Sequence, residues 1–274
     1  MSTPDDLLPI AQTVAREAGE FIISMRDKAE VTATKSSEVD IVTQVDVASE
    51  RLIRQRLSEL RPDDGVVGEE GESSSGTSGI TWIIDPIDGT VNYLYGIDQF
   101  AVSVAAVSGV PASSSWQLEA GAVYDGSSTL WSAARGRGAR RNDAVLKVGV
   151  RPALSGALVA TGFQYESHRR AVQGAIVAEL LPQVRDIRRF GSAAVDLCFS
   201  AAGVIDAYYE QGLHAWDFAA GALIAQEAGM MVAGYDGERA DERLVIAAHP
   251  ERWDELHTAL RRAGMAPTWE LATP

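Results

Sequence analysis

Leu7, Ala11, Val14, Ala18, Phe21, Ile22 and Met25 recur at intervals of three and four, so residues 3–27 are predicted to form a helix with one apolar face. Thr3 is placed to cap it, Pro4 suits its first position and Asp6 favours its positive end. Ala48, Leu52, Ile53, Leu57 and Leu60 predict a second helix over 44–60, which Arg61-Pro62-Asp63-Asp64-Gly65 ends. The apolar runs then shorten, and 66–67, 80–84, 100–107, 120–124 and 129–133 read as strands. Residues 70–79, EGESSSGTSG, are too polar and too rich in Gly and Ser to pack and are expected to form a flexible surface loop. The second half alternates, with strands at 157–163, 186–190, 206–210, 230–234 and 243–248. Helices are expected at 168–183, 191–202, 216–228 and 250–262. The pattern predicts a layered α/β protein without internal repeats. One domain, 1–274, is expected, with an α+β lobe over about 1–145 and an α/β lobe over about 146–274.

Bulk properties narrow the function without naming it. The chain has 274 residues, 46% of them hydrophobic and 23% charged, as in an ordinary globular protein. The net charge is −14; residues 1–100 hold 19 of the 38 Asp and Glu but only 8 of the 24 Lys and Arg. Such a field disfavours direct nucleic-acid binding and suits cations, although acidity also simply keeps a surface soluble. Cys198 is the single cysteine, so no internal disulfide can form. The N-terminal MSTPDDLLPIAQ has no basic region ahead of an apolar run, and no apolar stretch approaches a membrane span. A cytoplasmic protein with no membrane partner is expected.

Four acidic stretches stand out: Gly68-Glu69-Glu70, Asp85-Pro86-Ile87-Asp88, the segment 39–46 ending in Asp46, and Trp216-Asp217. Asp85 and Asp88 are expected at the end of a strand, where loops carry chemistry. Pro86 fixes the backbone, Gly89 permits a tight turn and Thr90 adds a hydroxyl. Two neighbouring carboxylates repel each other, and a hard divalent cation removes that cost. Taken singly, the same pair also reads as caps for the next turn, and Asp217 as an ordinary helix cap. C-x-x-C, H-E-x-x-H, G-x-x-x-x-G-K and G-x-S-x-G motifs are all missing. His168, His214, His249 and His257 are scattered and read as structural or exposed, and the basic run 135–141 as a solvated hairpin turn.

Together, Gly68-Glu69-Glu70, "WIIDPIDGTVNY" at 82–93, "GSAAVDLC" at 191–198 and "AYYEQGLHAWDFAAGALIAQEAG" at 207–229 resemble the inositol monophosphatase family, in the family's order. Asp-Pro-Ile-Asp-Gly-Thr alone arises by chance in roughly one window per 10⁷–10⁸. The resemblance implies an αβαβα sandwich and a Mg²⁺-dependent, lithium-sensitive phosphatase, usually a homodimer, acting on a small phosphorylated polyol with two to three Mg²⁺ ions. Glu69, Asp85 and the Ile87 carbonyl resemble the ligands of one ion, and Asp85, Asp88 and Asp217 those of a second. Glu69 would also help hold a third. Asp46 and Thr90 resemble the pair that orients the attacking water. Asp88, Gly89, Thr90 and Asp217 would face the substrate's phosphate side. Gly191, Ser192, Ala193 and Glu210 would hold the inositol ring. Lys35 and Thr43 fall in a segment that often closes over such sites. Inositol 1-phosphate is the expected substrate. Histidinol phosphate, fructose 1,6-bisphosphate, an adenosine 3′-phosphate and a chiefly protein-binding role are the alternatives.

Overall fold

The structure is a computed structural model that describes residues 2–35, 41–109 and 116–269. The first predicted helix is α1 (Pro4–Met25), its start fastened by Asp6, whose Oδ2 accepts from Thr3 N and Oγ1 at 2.9 and 2.8 Å. β1 (Val31–Thr34) and β2 (Ile41–Thr43) form a small antiparallel ribbon that hydrophobic periodicity does not reveal, because β1 is exposed throughout. Thr43 closes β2 and caps α2 (Gln44–Leu60), its Oγ1 accepting from Val45 N and Asp46 N. Thr43 is fully buried. Val39 and Asp40 of the acidic segment 39–46 lie outside the described residues.

β3 (Gly65–Gly68) pairs parallel with β4 (Ile80–Asp88). After the short helix α3 (Thr90–Tyr95), β5 (Ala101–Ser108), β6 (Gln117–Asp125), β7 (Leu130–Ala134), β8 (Ala139–Arg141) and β9 (Ala144–Leu146) extend the sheet antiparallel in chain order. The 135–141 stretch is the β7–β8 hairpin, with Arg135 paired to Glu119 at 2.8 Å and Arg137 to Asp5 at 2.5 Å. The 70–79 loop is exposed as expected but tied down rather than free. Val66 and Ser74 exchange backbone bonds, and Thr77 N and Ser78 N donate to Asp63 O.

The second sheet holds β10 (Leu158–Thr161), β11 (Asp186–Arg188), β12 (Ala207–Glu210), β13 (Met231–Ala233) and β14 (Val245–Ala248), in the order β11-β10-β12-β14-β13. Its helices are α4 (Ser167–Leu180), α5 (Ala193–Ala202), α6 (Ala215–Ala228) and α7 (Pro250–Arg262). Strand alternation sorts side chains into three cores. Trp82, Ile84, Val102 and Val104 face α1 and α2, whereas Ile83, Ala101 and Ala105 face α5 and α6. Tyr208, Val245 and Ala247 close the middle core from the other sheet, and Val159, Tyr209 and Ile246 pack against α4 and α7. The result is the αβαβα sandwich that the resemblance implied. α6 lies between two sheets and is apolar all round, which is why it shows no amphipathic period.

Close packing seats α1 on the large sheet. A Cβ on Gly19 would run into the ring of Tyr124, which is only 4% exposed. Gly19→Ala is therefore expected to destabilise the fold by about 1–3 kcal/mol despite its better helix propensity, read as a lower denaturation midpoint.

Candidate active site

β4 carries the site, and it runs further than the apolar pattern predicts. Asp85 and Asp88 lie within the strand, not after it. Asp85 is opposite Ser103 and Asp88 opposite Ala101, so the step from 85 to 88 faces a shorter one on β5. This is a bulge, with Pro86, which has no N–H to pair, inside it. The bulge re-aims the carboxylates: Asp85 Oδ1 accepts from Ile87 N at 3.0 Å, and Ser49 Oγ donates to Pro86 O at 3.2 Å. Gly89 follows at φ +92°, and a Cβ there would come within 3.0 Å of the carbonyls of Gln99 and Gly191. No other residue satisfies both demands.

Each predicted acid is fixed by a different element. Asp46, buried in the first turn of α2, accepts at Oδ2 from Thr43 N at 2.9 Å and from the Thr43 hydroxyl. Its Oδ1 lies 3.1 Å from Thr90 Oγ1, which is also 3.0 Å from the Ile87 carbonyl. Asp88 Oδ2 accepts from Ser192 Oγ and Ala194 N, both at 2.7 Å, which fastens β4 to the start of α5. Asp217 Oδ2 accepts from His214 N at 2.6 Å, so the helix-cap reading holds for one oxygen and leaves the other. Glu69 Oε1 meets Lys35 Nζ at 2.7 Å, and the same ammonium reaches Glu70 at 2.5 Å.

Lys35, Glu69, Asp85, Asp88, Glu210 and Asp217 line one cleft of about 360 Å³, with Ile87, Gly89, Thr90, Gly191 and Ala193. Asp46 and Ser192 stand behind it and reach it through Thr90 and Asp88. Among the described residues, no three His, Cys, Asp or Glu side chains converge into a ready metal cage. The acids share a cleft, each on its own support.

Electrostatics marks this arrangement as unfinished. Burial, followed by the charges of Glu69, Asp88 and Asp217, holds the Asp85 carboxyl well above the usual range. Asp217 is raised in the same way by burial, Asp88 and Glu69. Burial pushes Asp88 up to about 7 against the bonds from Ser192 and Ala194, and Asp46 also rises through burial. Burial opposes the Lys35 charge, but Glu69 and Glu70 more than offset it and raise its pKa.

The other end of the cleft is built by β12, the turn before α5 and residues 162–169. Burial pushes Glu210 up to about 7, while the Tyr208 hydroxyl, donating at 2.7 Å, and the Arg189 charge pull it down. Gly162 makes room for it, since a Cβ there would overlap the Glu210 carboxylate. α5 begins at Ala193, with Ser192 as its cap, two residues later than the apolar run suggests. His214 lines the cleft with its ring stacked on Trp216 at 4.7 Å.

Sequence reasoning overlooked Arg169, Arg189 and Asp196. The arginines had no motif to mark them. Asp196 was hidden in an apolar helix, although a carboxylate in "AAVDLCF" is itself a signal. It is 1% exposed, and neither of its carboxylate oxygens has a hydrogen-bond partner.

The fold and cleft define a layered α/β protein with a mutually repelling carboxylate set, Asp85 buried and the others half-buried, beside a glycine turn. The sequence profile of the inositol monophosphatase family matches residues 3–266. An inositol-1-monophosphatase of Mycobacterium leprae is 45% identical, over 96% of this chain and 97% of that protein. A Nus factor SuhB of Pasteurella multocida is 40% identical over 84% of this chain and 86% of its own length. The solved structure of Mycobacterium tuberculosis SuhB superposes with a TM-score of 0.82 at 43% identity, covering 97% of this chain and 99% of that one. The chain belongs to the inositol monophosphatase family, a family of phosphatases. No helix among the described residues is long and apolar enough to cross a membrane.

Asp196 gives a test of the electrostatics at this end of the cleft. Burial, then the charges of Glu210 and Asp88, hold its folded-state pKa well above the usual value, so the folded protein keeps a proton that the unfolded chain loses near pH 4. Stability from this group is thus lost as pH rises above that value. Asp196→Asn removes the dependence, and its melting temperature relative to the parent protein is expected to climb as pH rises above about 4.

Proposed function

We propose that the protein is a Mg²⁺-dependent phosphate monoester hydrolase whose substrate is inositol 1-phosphate, releasing myo-inositol and phosphate. The observation that carries this reading is the set Glu69, Asp85, Asp88 and Asp217 on one cleft, two of them, Asp85 and Asp217, raised well above their usual ionisation by burial and then by the neighbouring charges. Oxygen donors alone, in excess of nearby cations, fit a hard divalent ion. Glu69, Asp85, the Ile87 carbonyl, Asp88 and Asp217 would hold two to three Mg²⁺ ions. Bound there, Mg²⁺ supplies the positive charge that lets an anionic ester be attacked and lowers the pKa of water.

The chain's own groups do the rest. Thr90 Oγ1 and Asp46 Oδ1, 3.1 Å apart, orient a water and take up its proton. Gly89, with no side chain, leaves space for phosphate oxygens. Asp88 links the two halves of the cleft through Ser192 and Ala194, so the phosphate end and the alcohol end keep their spacing. Gly191 and Ala193 shape the alcohol end, and Glu210 accepts hydroxyl hydrogen bonds. Attack of the water oxygen forms the new P–O bond, the P–O bond to the alcohol breaks, and the alcohol oxygen gains the proton. This route needs no side-chain nucleophile.

Purified protein is expected to release phosphate from inositol 1-phosphate with Mg²⁺ and to stop with EDTA. Asp88→Asn should lower kcat by on the order of 10²–10³. Full activity in that variant contradicts the reading, and a tenfold higher kcat/KM for histidinol phosphate would reassign the substrate.

A second reading has one observation behind it: relatives at 36–40% identity are named Nus factor SuhB. If binding a protein partner is the main role here too, Asp88→Asn will complement a deletion strain as well as the unaltered gene does.

A further inference from the structure

α2 packs into the fold through Val45, Ile53 and Leu57, yet three of its other buried residues are polar: Asp46, Ser49 and Glu50. Ser49 and Glu50 follow Asp46 by three and four positions, so the three share one face of the helix. Each holds a different piece of the site. Asp46 Oδ1 lies 3.1 Å from Thr90 Oγ1, Ser49 Oγ donates to Pro86 O at 3.2 Å, and Glu50 Oε2 accepts from Glu70 N at 2.7 Å. The first two contacts meet the bulge of β4 and the turn after it. The third reaches the segment that carries Glu69.

β3 pairs with β4 as far as Gly68, opposite Ile84, so Glu69 projects from a bend beyond the sheet. The Glu50 carboxylate packs against both ends of that bend. A Cβ on Gly68 would come within 2.7 Å of Glu50 Oε2, and a Cβ on Gly71 within 2.6 Å of Oε1. Glycine at both positions lets the bend close on the carboxylate. Arg54 Nε, one helical turn further on, donates to Glu50 Oε1 at 2.7 Å. Glu50 is only 2% exposed. A Glu–Arg pair at this spacing forms equally well on the wet face of a helix, where neither group loses its water. Helix stability alone therefore does not call for burying it here.

We propose that Glu50 is a positioning residue for the metal set: it fixes the 68–71 bend, keeps Glu69 in the cleft with Asp85, and thereby sets the affinity for Mg²⁺. This rests on the Mg²⁺ reading above and adds a residue that would touch neither ion nor substrate. The role is one of reach, not of charge, because the bond that matters runs to a backbone N–H.

The test measures the apparent Mg²⁺ dissociation constant by calorimetry, which needs no turnover, beside kcat for inositol 1-phosphate at saturating Mg²⁺. Melting curves check that each variant folds. Glu50→Asp keeps the charge and draws the carboxylate back from Glu70 N by one methylene. Glu50→Gln loses the charge and keeps an oxygen at the same reach. Glu50→Asp is expected to weaken Mg²⁺ binding about tenfold and to leave kcat at saturation within about threefold of the parent protein's. Glu50→Gln should bind Mg²⁺ within about threefold of the parent protein. Gly71→Ala removes no polar group but presses on Oε1, so it should weaken binding as well, and it replaces Glu50→Asp if that variant does not fold. Ile53→Val, a buried apolar change on the same helix, should lower the melting temperature and leave Mg²⁺ affinity unmoved. The positioning role is overturned if Glu50→Asp, or Gly71→Ala in its place, binds Mg²⁺ as the parent protein does. It is equally overturned if Glu50→Gln loses more affinity than Glu50→Asp, or if Ile53→Val loses as much. In each of those cases the parent protein still binds Mg²⁺ and the metal reading stands. If the parent protein binds none, the metal reading fails and the role of Glu50 falls with it.

Discussion

The structure around the cleft depends on one constraint: carboxylates carried by three separate segments must share one cleft. Asp85 and Asp88 come from β4, Asp217 from α6 and Glu69 from the residues just after β3. Left to themselves they repel, and partial burial weakens the solvent screening, most of all at Asp85. The protein resists this with neutral donors rather than with paired cations. The backbone N–H groups of Ile87 and His214 each donate to one carboxylate oxygen, on Asp85 and Asp217, and Ala194 N and the Ser192 hydroxyl share Asp88 Oδ2. Lys35 is the cation bonded directly to one of the four, Glu69.

Those donors explain why the architecture has the form it does. The bulge in β4 is needed to turn two carboxylates to the same cleft from a strand whose side chains otherwise alternate. The α5 N-terminus, with its free N–H groups, belongs beside Asp88 because a helix start favours negative charge. α6 must bring Asp217 in from between two sheets, which demands a helix of small apolar residues that packs on both faces. Gly121 lets Ala220 of that helix approach the large sheet closely. Fold and site are therefore one construction: moving α6 by a residue would move Asp217.

Much of this was legible in the chain. The helices α1 and α2 follow from apolar spacing because each has one buried and one wet face, and most core strands follow from short apolar runs because both of their faces are covered. The acidic residues were legible through their motifs. Other features were not. β1 is exposed along its length, so its pairing with β2 leaves no hydrophobic trace. The strand character of Asp85–Asp88 was hidden because Pro and Asp are poor strand formers whose place there is set by the bulge, not by propensity. The 70–79 segment has a linker's composition, yet its backbone is spoken for by Asp63 and Val66. Arg189 carries no local signature at all, and its position beside Glu210 exists only once β11, β12 and α5 have packed.

The most direct test of the account is a pair of melting curves on the parent protein and Asp85→Asn, each taken in EDTA and in excess Mg²⁺. Removing one repelling charge should leave Asp85→Asn at least as stable as the parent protein in EDTA. Saturating Mg²⁺ at about a hundredfold over its dissociation constant should then stabilise the parent protein by about 2.7 kcal/mol, a rise of roughly 5–10 °C for a chain of this size, and leave the variant nearly unmoved. If Asp85→Asn melts well below the parent protein in EDTA and both respond equally to Mg²⁺, the carboxylates are structural and the account is wrong.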